Sequence, residues 1–278
     1  IILIVCISIF CATRPGALAG VKYYLLPDIK HFSATTVLAA MGQLFYSMSL
    51  AMGIMITYGS YMKKEDDLRD SVRKIEIFDT VVALLAGLMI VPSVFAFSGG
   101  SKEALSKGPS LMFVTMPKVF NSMKIGSLIG AGFFILVLFA ALTSAISLLE
   151  TNVSIICDKL HWSRKKSTVV ATLYCLIIGG LISLGYGPLS FIKIIGMNLL
   201  DFFDFISNSV LMPIVAMLTC IFIGYIVKPK TIIDEVELGG KTFKEKKFYV
   251  VMLKYVAPVC LLLILLFAVS EALGLIKV

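Results

Sequence analysis

The chain has 278 residues, of which 59% are hydrophobic and only 15% are charged, and its mean hydropathy is +0.97. Soluble domains are usually about half apolar and about a quarter charged, so this composition indicates a protein that folds in a lipid bilayer. A net charge of +8 is also found in nucleic-acid-binding proteins. Here most basic residues lie in short loops between apolar runs, with no basic stripe or aromatic RNA-binding motif around them, and this pattern fits membrane topology better than nucleic-acid binding.

The chain begins with an apolar stretch, residues 1–12, followed by a polar segment, residues 13–33. Because a helix needs about 20 apolar residues to cross the hydrocarbon core, we interpret residues 1–12 as a partial span and the sequence as a fragment. Six further apolar runs are each long enough to cross the membrane: residues 34–62, 75–97, 125–157, 168–185, 199–227 and 248–275. The sequence therefore predicts an all-α integral membrane protein formed by a single transmembrane domain, residues 1–278.

Lysine and arginine counts predict the orientation of these spans. The loops at residues 63–74, 158–167 and 228–247 carry 15 of these cations, and those at 13–33, 98–124 and 186–198 carry 8. Since cytoplasmic loops are the richer in lysine and arginine, we expect the first set to be cytoplasmic.

Residues 42–53 place glycines, serines and a glutamine in the middle of the run 34–62. One interpretation is a helix that is broken inside the bilayer, whose freed backbone groups can bind a ligand. The other is a continuous helix with a small-residue packing face, whose serines hydrogen-bond to their own turn. The composition supports the two interpretations equally.

Two further features are polar groups inside apolar runs. Thr143 and Ser144 are adjacent hydroxyls, and hydroxyl and carbonyl oxygens are ligands suited to a small hard cation; packing with intrahelical hydrogen bonds is the commoner alternative. Asp79 and Glu150 are carboxylates within spans. Burying a charged side chain in the membrane is costly, so such a residue usually has a functional role. Asp201 and Asp204 lie near the end of a span, where they can also simply face water.

Signs of an enzyme or of a transition-metal site are missing from the sequence. It has no HExxH, no GxSxG and no nucleophile with an evident base. None of the six cysteines forms a CxxC, and only His31 and His161 could supply imidazole ligands. We interpret the cysteines as small packing residues.

Residues 42–61, GQLFYSMSLAMGIMITYGSY, resemble transmembrane helix six of the neurotransmitter:sodium symporters, in their bacterial amino-acid-transporter branch. The likeness continues in residues 108–120, similar to the fourth extracellular loop, 140–150, similar to helix eight, and 160–167, similar to the turn into helix nine. It implies the inverted-repeat sodium-symporter fold, with the second repeat (helices six to ten), helix eleven and the end of helix five. Helices one to four of the same protein would then be missing.

The resemblance also implies site residues. The substrate pocket would include Tyr46, Ser47, Ser49, Met52, Ser144 and Leu148. One sodium site would include Ser47 and Asp79, and the other would include the Ala140 carbonyl, Thr143 and Ser144. Asp204 would match the acid of the extracellular gate.

Some positions depart from the family pattern. Met52 stands where a phenylalanine is frequent, Ala51 where many relatives have glycine, and Asp79 where many have asparagine. Some chloride-independent relatives carry a glutamate where this chain has Ala83. In the anion-site region that the resemblance implies, Gln43 and Ser47 are still present as possible anion donors, and we expect the Asp79 carboxylate to replace chloride.

The resemblance implies sodium-coupled symport of an amino acid, neutral and apolar or aromatic, by alternating access across the plasma membrane, most simply that of a bacterium. Its partners would be sodium, the amino acid and the lipid bilayer, with no chloride requirement and no nucleic acid. The alternative function is a transporter-like receptor or membrane scaffold that binds an amino acid without moving it. Such a protein would be expected to have lost Thr143 or Ser144, and both are present.

Overall fold

The computed structural model describes residues 2–99, 109–123, 125–238 and 242–274, apart from the side chain of His31. All regular elements in these ranges are helices. Apart from a short 3-10 helix at Ile29–His31 and a π-helical turn at Leu111–Thr115, they are α1 (Ile2–Ala12), α2 (Ala17–Leu25), α3 (Ala34–Ser47), α4 (Ile54–Ser60), α5 (Leu68–Ser98), α6 (Met116–Asn121), α7 (Gly126–Leu160), α8 (Arg164–Leu184), α9 (Leu199–Val227), α10 (Pro229–Val236) and α11 (Lys246–Ala272). Ile1, Gly108 and Leu275, which begin or end segments of the sequence interpretation, lie outside the described ranges, as do parts of the loops 98–124 and 228–247.

Within the described residues, five helices are long and apolar enough to cross a membrane without interruption, namely α5, α7, α8, α9 and α11. The run 34–62 contains α3 and α4 instead of one helix. The chain forms two compact units, one of Ile1–Phe32 with Arg73–Ala145 and one of Ser33–Val72 with Ile146–Val278.

The first unit has a core in which α1, α5, α6 and the first half of α7 meet. Its buried residues are Ile7, Cys11, Met89, Val94, Met116, Val119, Phe120 and Phe133. Gly130 lets the Phe120 ring approach α7, since an added Cβ would lie 3.2 Å from that ring. Between apolar helices in lipid, van der Waals packing of this kind replaces the hydrophobic driving force.

The polar segment 13–33 contains a helix that the sequence interpretation missed. The chain turns through 116° between α1 and α2, at the sequence Arg14-Pro15-Gly16. Gly16 takes a left-handed φ of 83°, which glycine adopts without steric cost. The lysine and tyrosines of α2 made the segment look like a loop, although one face of the helix packs on α5.

The contact between α2 and α5 depends on a glycine. A Cβ added to Gly20 would lie 2.7 Å from the Cα of Pro92 and 2.9 Å from the Cβ of Phe95. The hydroxyl of Tyr24 donates to the Ala83 carbonyl at 3.4 Å, with the ring against Gly87. The absence of a side chain at Gly20 therefore sets how closely the two backbones approach.

Four π-helical turns share one cause. Each contains the residue that lies four positions before a proline, as follows: Leu111–Thr115 before Pro117, Phe205–Leu211 before Pro213, Phe222–Val227 before Pro229 and Met252–Val256 before Pro258. Proline has no N–H to donate to the carbonyl four residues earlier, and its ring clashes with that carbonyl. A wider turn relieves the clash while the helix continues.

We predict that Gly20→Ala lowers the apparent melting temperature of the detergent-solubilised protein, because the new methyl overlaps the Pro92 backbone. Overpacking of this kind typically costs about 1–3 kcal/mol. Gly179→Ala is the matched control, because Gly179 is a helical glycine with no atom within 4 Å of an added Cβ. There the substitution is expected to be neutral or stabilising by up to about 1 kcal/mol. Equal thermal shifts in the two variants would contradict the packing described for Gly20.

Candidate functional site

The most unusual backbone of the chain lies between α3 and α4, at residues 48–53. Ser49, Ala51 and Gly53 have left-handed φ angles of 54°, 61° and 81°. The end of α3 is closed by hydrogen bonds from the Met48 N–H to the Leu44 carbonyl at 3.0 Å and from the Leu50 N–H to the Phe45 carbonyl at 3.1 Å. Of the two interpretations of this run, the broken helix is confirmed and the continuous helix is wrong.

This interruption stores conformational strain. Left-handed backbone costs an L-residue about 1–2 kcal/mol, and Ser49 and Ala51 both adopt it. Strain of this kind persists only where the surrounding structure enforces it, and it clusters at functional sites. The interruption also frees backbone groups within an apolar run, where each group needs a partner.

Polar side chains and one flexible methionine lie in the interruption or next to it. Ser47 is the last residue of α3, and Tyr46 beside it is 48% exposed. Ser49 and Met52 lie within the interruption and are half-buried. Of the predicted substrate residues, Ser49 and Met52 thus lie in the irregular backbone, and Tyr46 and Ser47 lie in the last turn of the helix before it. Gln43 precedes them and is exposed on α3.

The helix after the interruption, α4, is attached to the second half of α7. The Tyr58 hydroxyl lies 2.7 Å from the Ser147 hydroxyl. Gly53 lies so close to α7 that an added Cβ would be 2.9 Å from the Thr151 methyl. Thr151 is buried, and its hydroxyl donates to the Ser147 carbonyl at 3.0 Å. These contacts fix where α4 begins and therefore help to hold the interruption open.

Glu150 is the centre of a polar cluster that sequence reasoning missed. The Tyr61 hydroxyl donates to Glu150 Oε1 at 2.6 Å, and the Arg164 guanidinium donates to Glu150 Oε2 at 2.5 Å. The Glu150 side chain is 19% exposed and that of Arg164 is 65% exposed. The carboxylate was recognised as unusual from its place in a span, but its partners are 89 residues before it and 14 after it. No local pattern connects them.

The predicted sodium ligands of α7 lie within one helical turn. The Thr143 hydroxyl is 3.0 Å from both the Phe139 carbonyl and the Ala140 carbonyl, and Ser144 beside it is exposed. These are the intrahelical hydrogen bonds of the alternative interpretation. A hydroxyl that donates its proton to a carbonyl still has lone pairs for a cation, and two neutral oxygens 3.0 Å apart suit a hard ion. Binding of sodium here remains a prediction.

The remaining predicted residues occupy separate places. Asp79 is half-buried on α5, beside a shallow depression lined by Lys74, Ile75, Phe78 and Val82. Leu148 is exposed on α7. Asp204 accepts a hydrogen bond from the Asn208 amide at 2.5 Å within α9, while Asp201 hydrogen-bonds with Asn198 at the helix start.

The predicted site residues are divided between the two compact units. Asp79, Ala140, Thr143 and Ser144 belong to the first unit, and the other predicted site residues belong to the second.

The chain resembles known proteins over most of its length. Residues 1–275 match the family model described as the sodium:neurotransmitter symporter family. An uncharacterized sodium-dependent transporter of Bacillus subtilis, YhdH, is 35% identical over 91% of this chain and 56% of its own length. One from Haemophilus influenzae is 32% identical over 93% of this chain and 55% of its own length. The chain thus spans about half the length of these curated relatives.

A solved structure shows the same architecture. The crystal structure of MhsT in complex with L-phenylalanine matches with a TM-score of 0.85 and 36% sequence identity. The match covers 96% of this chain and 60% of that chain.

We predict that Glu150→Gln lowers the apparent melting temperature by several degrees. Tyr61 and Arg164 donate to different oxygens of Glu150, and glutamine replaces one of these oxygens by an NH2 group that is itself a donor, while the negative charge that pairs with Arg164 is lost. Glu76→Gln is the matched control, since Glu76 is an exposed glutamate on a spanning helix. Melting is to be followed in detergent for both variants. If the two substitutions shift it equally, the cluster does not stabilise the contact between α4 and α7.

Proposed function

Because the chain belongs to the sodium:neurotransmitter symporter family, we propose that its protein carries an amino acid into the cell together with sodium, by alternating access. The chain is an integral membrane protein with five uninterrupted apolar helices, and its bacterial relatives indicate the cell membrane. The observation that carries the proposal is the strained interruption at residues 48–53, in the segment that resembles helix six of the family.

The interruption supplies the chain's share of the amino-acid site. Its hydroxyls, Ser47 and Ser49, and its freed backbone groups hydrogen-bond the polar end of the substrate, while Tyr46 and Met52 contact the side chain. On α7, Ser144 and Leu148 each add a substrate contact. Such sites are typically apolar with a few oriented polar groups, and this set of residues has that composition.

Two groups of oxygens on this chain contribute to sodium binding. Ser47 and Asp79 contribute to one sodium ion, which neutralises the substrate carboxylate. The Ala140 carbonyl, Thr143 and Ser144 contribute to a second. Transport is then coupled because sodium stabilises the conformation that binds the amino acid well, and this differential affinity is what links the two solutes.

Asp204 contributes to closing the outer side. Its carboxylate is exposed and held by Asn208, one turn further along α9. A carboxylate oriented in this way remains available to a cation brought by a conformational change.

We propose a neutral substrate with an apolar or aromatic side chain. Tyr46 and Met52 form the apolar lining at the interruption, and the flexible thioether of Met52 adapts to side chains of different shape. The related MhsT structure was solved with L-phenylalanine, which is an amino acid of this class.

We predict that Thr143→Ala and Ser144→Ala, each made in the full-length protein, raise the sodium concentration needed for half-maximal uptake, by roughly tenfold for the loss of one interaction with a charged group. Uptake of labelled phenylalanine into proteoliposomes, with and without an inward sodium gradient, measures this and tests the proposed function.

Thr219→Ala is the matched control, because the Thr219 hydroxyl also bonds the carbonyl four residues earlier, at 2.8 Å, but lies on α9. Unchanged sodium dependence in both α7 variants would remove the assignment of this second sodium site. Sodium-dependent binding without any uptake would instead indicate the receptor function.

We predict that transport does not require chloride, because the Asp79 carboxylate supplies the negative charge beside sodium. A carboxylate next to a cation is stabilised in its charged form. Replacement of chloride by gluconate should leave uptake unchanged in the unsubstituted protein. Asp79→Asn should abolish uptake or make it respond to chloride. A strong chloride requirement before substitution would show that Asp79 acts only as an oxygen ligand.

A further inference from the structure

A hydrogen bond between two side-chain hydroxyls connects α4 with α7. The Tyr58 hydroxyl donates to the Ser147 hydroxyl at 2.7 Å, which is the usual length for a hydrogen bond between two hydroxyl groups. The two residues are 89 positions apart in the chain, and both belong to the second compact unit. The bond is therefore a tertiary contact that depends on where α4 lies on α7.

The helix α4 is too short to hold its own position. It has seven residues and is about 10 Å long. It follows the left-handed Gly53 and ends at Ser60, so neither end continues into a neighbouring helix. Because forming the first turn of a helix is unfavourable, a helix of this length depends on tertiary contacts.

The acceptor of the bond lies on a long, continuous helix. Ser147 is half-buried on α7, which has 35 residues. The Ser147 carbonyl accepts a hydrogen bond from the hydroxyl of the buried Thr151 at 3.0 Å. The methyl group of Thr151 is the atom that a Cβ on Gly53 would approach to 2.9 Å. One turn of α7, residues 147–151, thus contacts α4 both at Tyr58 and at the residue that precedes the helix.

The position of α4 in turn affects the interruption at residues 48–53. Ser49 and Ala51 have left-handed φ angles of 54° and 61°, and L-residues keep such angles only where the surrounding structure enforces them. The bond from Tyr58 holds the helix that directly follows these residues. Without it, α4 is free to shift on α7, and the strained residues relax toward ordinary backbone angles.

We propose that Tyr58 and Ser147 are positioning residues for the amino-acid site, because their hydrogen bond keeps residues 48–53 in the conformation that binds the substrate. The inference rests on the proposed function, since it assigns a role within the same site. Neither side chain needs to touch the substrate. When the bond is lost, the binding conformation is less populated, and the apparent dissociation constant rises by the factor by which that population falls. One hydrogen bond corresponds to about fivefold in such an equilibrium.

Sodium-dependent binding of labelled phenylalanine to the purified full-length protein tests the proposal. Tyr58→Phe removes the donor hydroxyl and keeps the ring, and Ser147→Ala removes the acceptor hydroxyl. The double variant removes both. Tyr174→Phe is the matched control, because Tyr174 is an exposed tyrosine on the spanning helix α8.

Each single variant should raise the dissociation constant by roughly two- to fivefold, with the number of binding sites per protein unchanged. The double variant should lose no more affinity than either single variant, because all three lack the same bond. Amide hydrogen exchange in residues 48–53 should be faster in these variants by a similar factor. Tyr174→Phe should change neither the affinity nor the exchange.

Unchanged affinity in either single variant would overturn the proposal. Additive losses in the double variant would also overturn it, since the two hydroxyls would then act through different contacts. Fewer binding sites at unchanged affinity, or faster exchange without a loss of affinity, would show a purely structural bond. Failure of both single variants to fold would show the same, and if one folds it has the expectations given above. The proposed function fails in a different way: the unsubstituted protein would show no sodium-dependent binding, and the positioning role would be lost with it.

Discussion

Backbone hydrogen bonding in a medium without water is the constraint on which this structure depends. A membrane-spanning segment must satisfy its N–H and C=O groups internally, so an uninterrupted helix is the default in lipid. The chain departs from that default at residues 48–53, where two non-glycine residues adopt left-handed backbone. The strain is tolerated because α4 is attached to α7 through Tyr58, Tyr61 and Gly53. The backbone therefore leaves the helical path where a helix would otherwise continue, and it is there that we propose the amino-acid site.

The same constraint explains the four π-helical turns. Each of these four prolines lacks the N–H that would bond the carbonyl four residues earlier, and the chain forms a wider turn at that carbonyl. Two of them, Pro213 and Pro258, lie inside spanning helices. At Lys254 the missing donor is replaced by the Tyr225 hydroxyl of the adjacent helix. Pro92 differs, since it lies in α5 without such a turn and is packed against Gly20. Local covalent chemistry thus determines where these helices deviate, and neighbouring helices supply what is missing.

Much of the fold was predictable because long apolar runs have one main solution in lipid. The helices α5, α7, α8, α9 and α11 lie where hydropathy indicates spanning segments. The broken helix was recognised as one of two possibilities, but composition could not choose, since positive φ at Ser49 and Ala51 is imposed by packing and not by propensity. The helix α2 was missed because its polar residues obscured the face that contacts α5.

Within the site, the local sequence indicated which residues are chemically unusual, but it did not indicate which residues they contact. Thr143 and Ser144 were identified from adjacency alone, and their role in sodium binding remains a prediction. Glu150 was singled out as an acid within a span, but its contacts with Tyr61 and Arg164 depend on the tertiary fold. The substrate, sodium and gate roles were assigned from the family resemblance, because residue patterns alone do not predict them.

The central claim is that the interruption at residues 48–53 forms the amino-acid site, and sodium-dependent binding of labelled phenylalanine to the purified protein tests it most directly. Gly53→Ala forces a side chain onto a φ of 81° and places its Cβ 2.9 Å from the Thr151 methyl. Gly59→Ala is the matched control, because no atom lies within 4 Å of an added Cβ there. The account predicts that Gly53→Ala loses most of the sodium-dependent binding while Gly59→Ala keeps it. Equal binding by both variants would contradict the account.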